Sequence, residues 1–476
     1  MQIKTFTLCL LCLVASSATL GQANEQVGPA AEGRTLLPTR QLIRAAGRTL
    51  EFGGRPIDLA LSPDGKTLYA KDNRGLVVVK VADWKVIQEL PLEGGTSLHG
   101  VVVRRDGARV YATGAQSQLA EAEVLPDGAL RWKRQILLPG PEGKGASYPC
   151  GLALNAAGTR AYVCLSRNNT LGVVDLVSGT LLSEIPVGVA PFDVALSRDG
   201  SQAYVSDWGG RRPKPGEKTA PSAGTETLVD ARGVASSGCV SLVDLRKGVE
   251  TAQIGTGLHP SDIERSADGR TLYVANANSD TVSVLALETQ RVIETISVRP
   301  DPALPFGSMP NALALSPDDR TLYVANGGNN AISVVALGDG LQKKSQLRGL
   351  IPTGWYPGGI VTDGRALYIA NIKGLGSRNA GTLQKSPKAD DPAKKQPQEP
   401  GGSKGFNVYE YQGTLNVVTL PTDAELQTYT AQARADARLP QILRAREKAN
   451  GSQRPVPVPA RVGEPSVFEH IVYIIK

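Results

Sequence analysis

The sequence predicts an all-β fold, a seven-bladed β-propeller of four-stranded blades, and three observations carry that reading. A tyrosine recurs seven times behind a turn residue, each recurrence shares one strand and turn pattern, and a lone strand precedes the first unit. The turn residues are Gly65, Gly107, Gly158, Gly200, Gly269, Asp319 and Gly364, and four positions later stand Tyr69, Tyr111, Tyr162, Tyr204, Tyr273, Tyr323 and Tyr368. The tyrosines are 42, 51, 42, 69, 50 and 45 residues apart. Such intervals suit four short strands and their turns.

Taken in chain order, residues Arg48–Gly53 (RTLEFG) read as a strand without partners of its own. The repeating unit is clearest at Pro191–Gly200, where alternating apolar residues enter an Asp-Gly turn and Ala203-Tyr204-Val205 leave it. A third strand follows, as at Thr281–Leu287, Ala331–Leu337 and Thr414–Leu420, and then a more polar fourth such as Arg291–Val298. The seventh unit runs out after its third strand. Residues 48–53 can supply the missing fourth, which removes two exposed edges and fastens the ring. Blade two is the weakest unit: its second strand runs into Thr113-Gly114-Ala115 and its third is hard to place.

Tyr273-Val274-Ala275-Asn276 and Tyr323-Val324-Ala325-Asn326 resemble the signature of the YVTN family of bacterial β-propellers. The resemblance covers residues 45–420.

A formal charge of +7, from 52 Lys+Arg against 45 Asp+Glu, is modest, and no basic run is interleaved with stacking aromatics. Nucleic acid is not expected as a partner. The basic residues gather in two polar stretches, Arg211–Lys218 and Lys385–Lys395, which read as solvated loops.

Residues 1–23 read as a secretory signal peptide: Lys4, an apolar run from Phe6 to Val14, small residues, and a cleavage zone near Gly21–Ala23. The run is too short for a permanent span, and no later segment approaches transmembrane length. A periplasmic or secreted monomer is therefore expected. Beyond the leader remain Cys150, Cys164 and Cys239, an odd number. Cys150 and Cys164 either face each other across one hairpin as a disulfide or are small buried residues. No Cys-x-x-Cys-His exists for covalent haem attachment.

Long inserts follow the second strand of two blades, Trp208–Gly238 and Lys373–Tyr411, and both should project from one face. Trp208, Arg211 and Arg212 are the candidate loop-face binding residues. Seven positions before each turn the innermost strands carry Asp58, Gly100, Gly151, Asp193, Asp262 and Ala312, with Gly359 as the seventh. Asp58, Asp193 and Asp262 are candidate channel-lining, ligand-binding residues: carboxylates near one axis either hold a hard cation or cap backbone N–H groups. His99 and His259 precede innermost strands of non-adjacent blades without a third histidine, and read as structural or incidental. No catalytic constellation is recognisable.

Beyond the leader, residues 24–44 form an N-terminal segment, and residues 421–465 a helix over Asp423–Ala437, extendable through Arg446, with a Pro-rich linker. The apolar run Val467–Lys476 suits a buried strand of a parallel sheet, so residues 466–476 read as the start of a further domain. This junction resembles bacterial proteins that join a YVTN propeller to a phosphoesterase domain of the alkaline phosphatase superfamily, whose first strand is similar to His470-Ile471-Val472-Tyr473-Ile474-Ile475-Lys476. In that family a segment resembling Glu-Asn-Arg-Thr follows, with Thr as nucleophile and metal ligand. The resemblance implies that any divalent metal belongs to that absent domain and that this chain has no cofactor of its own.

Three functions are then open. The chain is an exported non-catalytic scaffold half of a metal-dependent phosphoesterase, or a stand-alone binding propeller for a protein, glycan or envelope component, or, by fold analogy alone, a channel enzyme of lactonase or haem d1 type.

Overall fold

The computed structural model describes residues 26–338, 343–377, 411–449 and 451–470. Residues 1–23, the insert residues 378–410 and the terminal strand residues 471–476, about which the sequence raises expectations, lie outside them.

Seven four-stranded antiparallel sheets follow one another along the chain, and their innermost strands touch in a closed ring. These strands are Pro56–Leu61, Thr96–Val103, Pro149–Leu154, Val189–Leu196, Pro260–Arg265, Pro310–Leu315 and Trp355–Thr362. The molecule is a seven-bladed β-propeller. Its core is divided into seven parts, one between each pair of neighbouring blades. Every repeated tyrosine is buried in the part shared with the following blade: Tyr69 packs with Val101 and Val110, and Tyr368 packs with Leu59 and Leu68 to complete the circle. A blade apolar on both faces is stable only between neighbours, which is why the pattern repeats until it closes.

The repeated asparagine has a local task. Asn276 donates to Ser283 Oγ at 2.9 Å, Asn326 to Ser333 Oγ at 2.8 Å and Asn371 to Thr414 Oγ1 at 3.0 Å, each joining the second strand of a blade to its third. Asp207 holds that position in blade four and accepts from Ser241 Oγ at 2.7 Å.

The expected closure is present: Arg48–Gly53 pairs antiparallel with Tyr411–Thr419, from Gln412 opposite Gly53 to Val417 opposite Arg48. Blade two, the weakest in sequence, has a regular third strand at Gln118–Val124 and a fourth at Leu130–Leu137. The first insert is more ordered than a solvated loop, since it folds a hairpin from Thr219–Ser222 and Thr225–Leu228.

All three cysteines are unpaired and buried, so the disulfide alternative for Cys150 and Cys164 is not the one realised. A register shift between Pro149 and Leu152 breaks the regular pairing of their hairpin, and both thiols join the apolar core between blades three and four.

The helical stretch is two helices, α1 (Asp423–Asp436) and α2 (Leu439–Ala445). Thr422 and Glu425 form a reciprocal capping box at the start of α1. The single long helix allowed by sequence breaks because Arg438 is left-handed at φ 56° and Pro440 cannot donate a backbone hydrogen bond. α1 lies on the outer strand of blade six, Gln346–Pro352, where Thr430 Oγ1 accepts from Leu350 N at 2.9 Å. A Cβ at Gly349 would stand 2.5 Å from that same oxygen, so only glycine permits this approach. Arg34 donates to Asp436 at 3.0 Å and Gln432 to Arg44 O at 2.8 Å, tying the N-terminal segment to α1.

Candidate functional site at the propeller axis

Register places Asp58, Asp193, Ala312 and Gly359 opposite Lys71, Ser206, Ala325 and Ala370, each two residues beyond a repeated tyrosine. They therefore occupy one level of the ring, and Gly359 is the seventh member as expected. The glycines at this level allow the strands to close on the axis. A Cβ at Gly151 would meet Asp193 Oδ1 at 2.2 Å, and one at Gly100 would meet Cys150 O at 2.2 Å.

Each of the three aspartates reaches to the innermost strand of the next blade. Asp58 accepts from Gly100 N at 2.7 Å and Val101 N at 3.0 Å, Asp193 from Ile263 N at 3.2 Å, and Asp262 from Leu313 N at 2.6 Å. Backbone capping, one of the two alternatives, is thus realised at all three. The carboxylates nevertheless converge on a residue read from sequence as incidental. His99 stands with Nδ1 3.3 Å from Asp58 Oδ2 and Nε2 3.3 Å from Asp193 Oδ1.

Burial opposes a charge on this imidazole, but Asp58 and Asp193, helped by Asp262, outweigh it and lift His99 to about 10. Burial likewise opposes the charge on Asp193, yet the His99 cation holds that carboxyl below its ordinary range. Burial, and then the neighbouring Asp193, push Asp262 well above the ordinary range. Glu264 is raised to about 8 by burial and by Asp193. His99 thus lies between Asp58 and Asp193, with Asp262 alongside. His99, Asp193 and Asp262 offer ligand atoms within 4.8 Å of one another, a donor set suited to a divalent cation. A metal there would have to displace the proton of His99.

Lys71, fully buried in blade one, was not singled out by sequence. Its Nζ donates to Ser97 Oγ at 2.9 Å, Thr113 Oγ1 at 2.8 Å and the carbonyl oxygens of His99 and Gly100. Burial lowers it to about 7, against a partial lift from Asp58.

Trp208 is placed differently from the loop-face expectation. It belongs to the strand Gln202–Gly210, and its ring lies in a stack that climbs from the axis: His99 to Phe192 at 5.1 Å, Phe192 to Trp208 at 4.3 Å, Trp208 to His259 at 4.2 Å. Arg211 and Arg212 do lie at the insert, but both are engaged. Arg211 pairs with Glu217 across the insert, and Arg212 donates to Val187 O at 2.8 Å and Asn169 O at 2.7 Å on blade three.

Three positions before each axial residue, within the innermost strand or just ahead of it, stand Arg55, Ser97, Tyr148, Ala190, His259, Met309 and Tyr356. Five of these, Tyr148, Ala190, His259, Met309 and Tyr356, are left-handed with φ between 48° and 64°, and each precedes a proline. Non-glycine residues rarely adopt this conformation, least of all before proline, so the mouth is held in strained backbone. A cleft of about 480 Å³ near Gln26, Arg34 and Leu42 lies apart from the axis.

The profile of the family described as "Lactonase, 7-bladed beta-propeller" matches residues 241–349. Among curated relatives, the protein YncE of Salmonella typhimurium and that of Salmonella typhi, both described as uncharacterized, are each 23% identical over 257 residues. The chain is a seven-bladed β-propeller similar to YncE. The match takes in 53% of this chain and 64% of each relative, so it spans somewhat less than two thirds of their length. The Kuenenia stuttgartiensis hydrazine synthase superposes with a TM-score of 0.54 at 17% identity, over 68% of this chain and 94% of that one, a likeness of fold. In this YncE-like propeller no described helix is long and apolar enough to cross a membrane.

Proposed function

We propose that the chain is an exported, non-catalytic propeller that acts as the binding and scaffold half of a metal-dependent phosphoesterase. The observation that carries this reading is the seating of α1. Leu426 enters the core between blades six and seven, Thr430 bonds the backbone of the outer strand, and Asp436 is held by Arg34, so the route out of the propeller is rigid. A domain following residue 466 would be joined through a helix fixed on the propeller and a Pro-rich, semi-rigid linker. The tail resemblance at His470–Lys476 and the leader-like residues 1–23 supply the phosphoesterase and export parts of the proposal.

The test is hydrolysis of 4-nitrophenyl phosphate and bis(4-nitrophenyl) phosphate with Mn²⁺ or Zn²⁺, by this chain alone and by the product of the reading frame continued beyond Lys476. The reading expects no turnover by this chain and metal-dependent turnover by the extended product. Turnover by this chain alone, or a downstream frame without a segment resembling Glu-Asn-Arg-Thr, overturns it.

A further inference from the structure

The mouth of the propeller carries hydrogen-bond donors without acceptors. Trp208 Nε1, Asn311 Nδ2 and Arg55 Nε are buried and have no partner, and His259 Nδ1 is in the same state. Their blades are four, six, one and five, so the set forms an arc that needs only blade seven to be continuous. Blade seven supplies Tyr356 and Lys373. A Cβ at Gly327 would meet both Asn311 Nδ2 and the Tyr356 ring, which places those two side chains against each other. Lys373 Nζ lies 4.9 Å from the Trp355 ring centre and 5.1 Å from that of Tyr356, and the Arg55 guanidinium lies 5.7 Å from the Tyr411 ring.

Neither cation forms an ion pair among the described residues. Asp72, which accepts from the Arg55 backbone N–H at 2.6 Å, is engaged by Arg74 at 2.7 Å. The three axial aspartates sit a layer lower and are bound to backbone N–H groups and His99. Buried donors without acceptors are costly, and two cations on aromatic faces without a carboxylate are poorly compensated. Both conditions are relieved by one kind of occupant.

We infer that the arc from Trp208 through His259, Asn311, Tyr356 and Lys373 to Arg55 is a binding site for a small organic oxyanion, a carboxylate or phosphate on a flat apolar body. The oxyanion accepts from the indole, amide and cationic groups, and the flat body lies against the Trp355 ring, since both faces of Trp208 are covered by Phe192 and His259. His259 stays neutral because burial lowers its pKa, so it can turn an N–H toward the anion without adding charge. Strained backbone at His259 and Tyr356 fixes both side chains before a ligand arrives. The inference holds whether or not a catalytic domain follows the propeller.

Titration of the purified chain with phenyl phosphate, benzoate and uncharged benzyl alcohol, read by tryptophan fluorescence and calorimetry, tests it. Saturable binding of either anion but not of the alcohol is expected, with phenyl phosphate or benzoate alone identifying the preferred head group. Arg55→Gln and Lys373→Gln should each weaken it about tenfold or more, as loss of one charge-assisted bond requires. Trp208→Phe keeps the stacked ring and removes one donor, so it should also weaken binding and guards against misfolding of the charge variants. No saturable binding, equal binding of the alcohol, or unchanged affinity in all three folded variants overturns the inference.

Discussion

His99 Nε2 lies 3.3 Å from Asp193 Oδ1, an ion pair between blade two and blade four that passes over blade three. Apolar contacts in a propeller join only neighbouring blades, so this pair is a cross-brace that the repeat architecture does not itself provide. Replacing Asp193 by Asn keeps the size of the side chain but leaves His99 with Asp58 alone. A loss of about 3–5 kcal/mol is expected, measured by guanidinium denaturation, because a buried ion is left half compensated. In a double-mutant cycle with His99→Gln the two losses should be strongly non-additive. Simple additivity would show that the brace carries no energy.

The axis also makes a signed prediction about pH. His99 rises from 6.5 to about 10 on folding, so its stabilisation is complete below pH 6.5 and is lost as pH climbs through 10. Lys71 falls from 10.5 to about 7, so its contribution has the opposite sign, gaining as pH climbs from 7 to 10.5. Over pH 7 to 10 the two oppose each other. Lys71→Met leaves only the His99 contribution, and the urea midpoint should then fall across that span more steeply than in the unaltered protein. Glu264, raised from 4.5 to about 8, destabilises both proteins alike as pH rises through that lower range. Equal slopes above pH 8 would contradict this account.

Gly349→Val should detach α1 without opening the ring. The new side chain meets Thr430 Oγ1 and Leu426, and the helix is the movable partner. Limited proteolysis is expected to cut near residue 420 many times faster, while the melting of the propeller stays within a few degrees. A collapse of the whole transition would mean that the helix belongs to the core of the ring.

Phe52→Ala removes the largest apolar anchor of the closing strand, a ring 7% exposed in the core shared by blades seven and one. The expected cost is about 3–5 kcal/mol. Because a loosened strand bares the edge of Tyr411–Thr419, size-exclusion chromatography should also show dimers or larger species. A monomer of unchanged stability would contradict the role given to residues 48–53.

The ring, its blade number and its closing strand were legible because each depends on spacing alone: the seven tyrosines and RTLEFG can be counted. Gly359 was legible only as a small residue near its turn, since it stands five positions before Gly364 where the other six stand seven. Blade two was not, because Gln118–Val124 alternates Ala with Glu, and Glu121 is buried only through Arg109, Arg134 and Lys133, which come from other strands. His99 was set aside because it stands one residue before its strand's axial position, and spacing does not reveal that neighbouring carboxylates turn toward it. Lys71 reads as an exposed strand residue until Ser97 and Thr113 surround it. One signal was available: proline stands two positions before the axial residue in six blades, at Pro56, Pro149, Pro191, Pro260, Pro310 and Pro357. That column marks the strained rim on which His259 and Tyr356 sit.

The closing sheet joins Thr49 to Asn416, residues 367 apart. During synthesis the strand Arg48–Gly53 must wait for a partner that emerges 367 residues later, and meanwhile blades one to six can assemble in sequence. So long a contact makes completion of the circle a slow step. The nascent chain thus holds two unsatisfied strand edges until Tyr411–Thr419 has emerged, and a chaperone or other binder that shields Arg48–Gly53 would govern how much of it reaches the closed state.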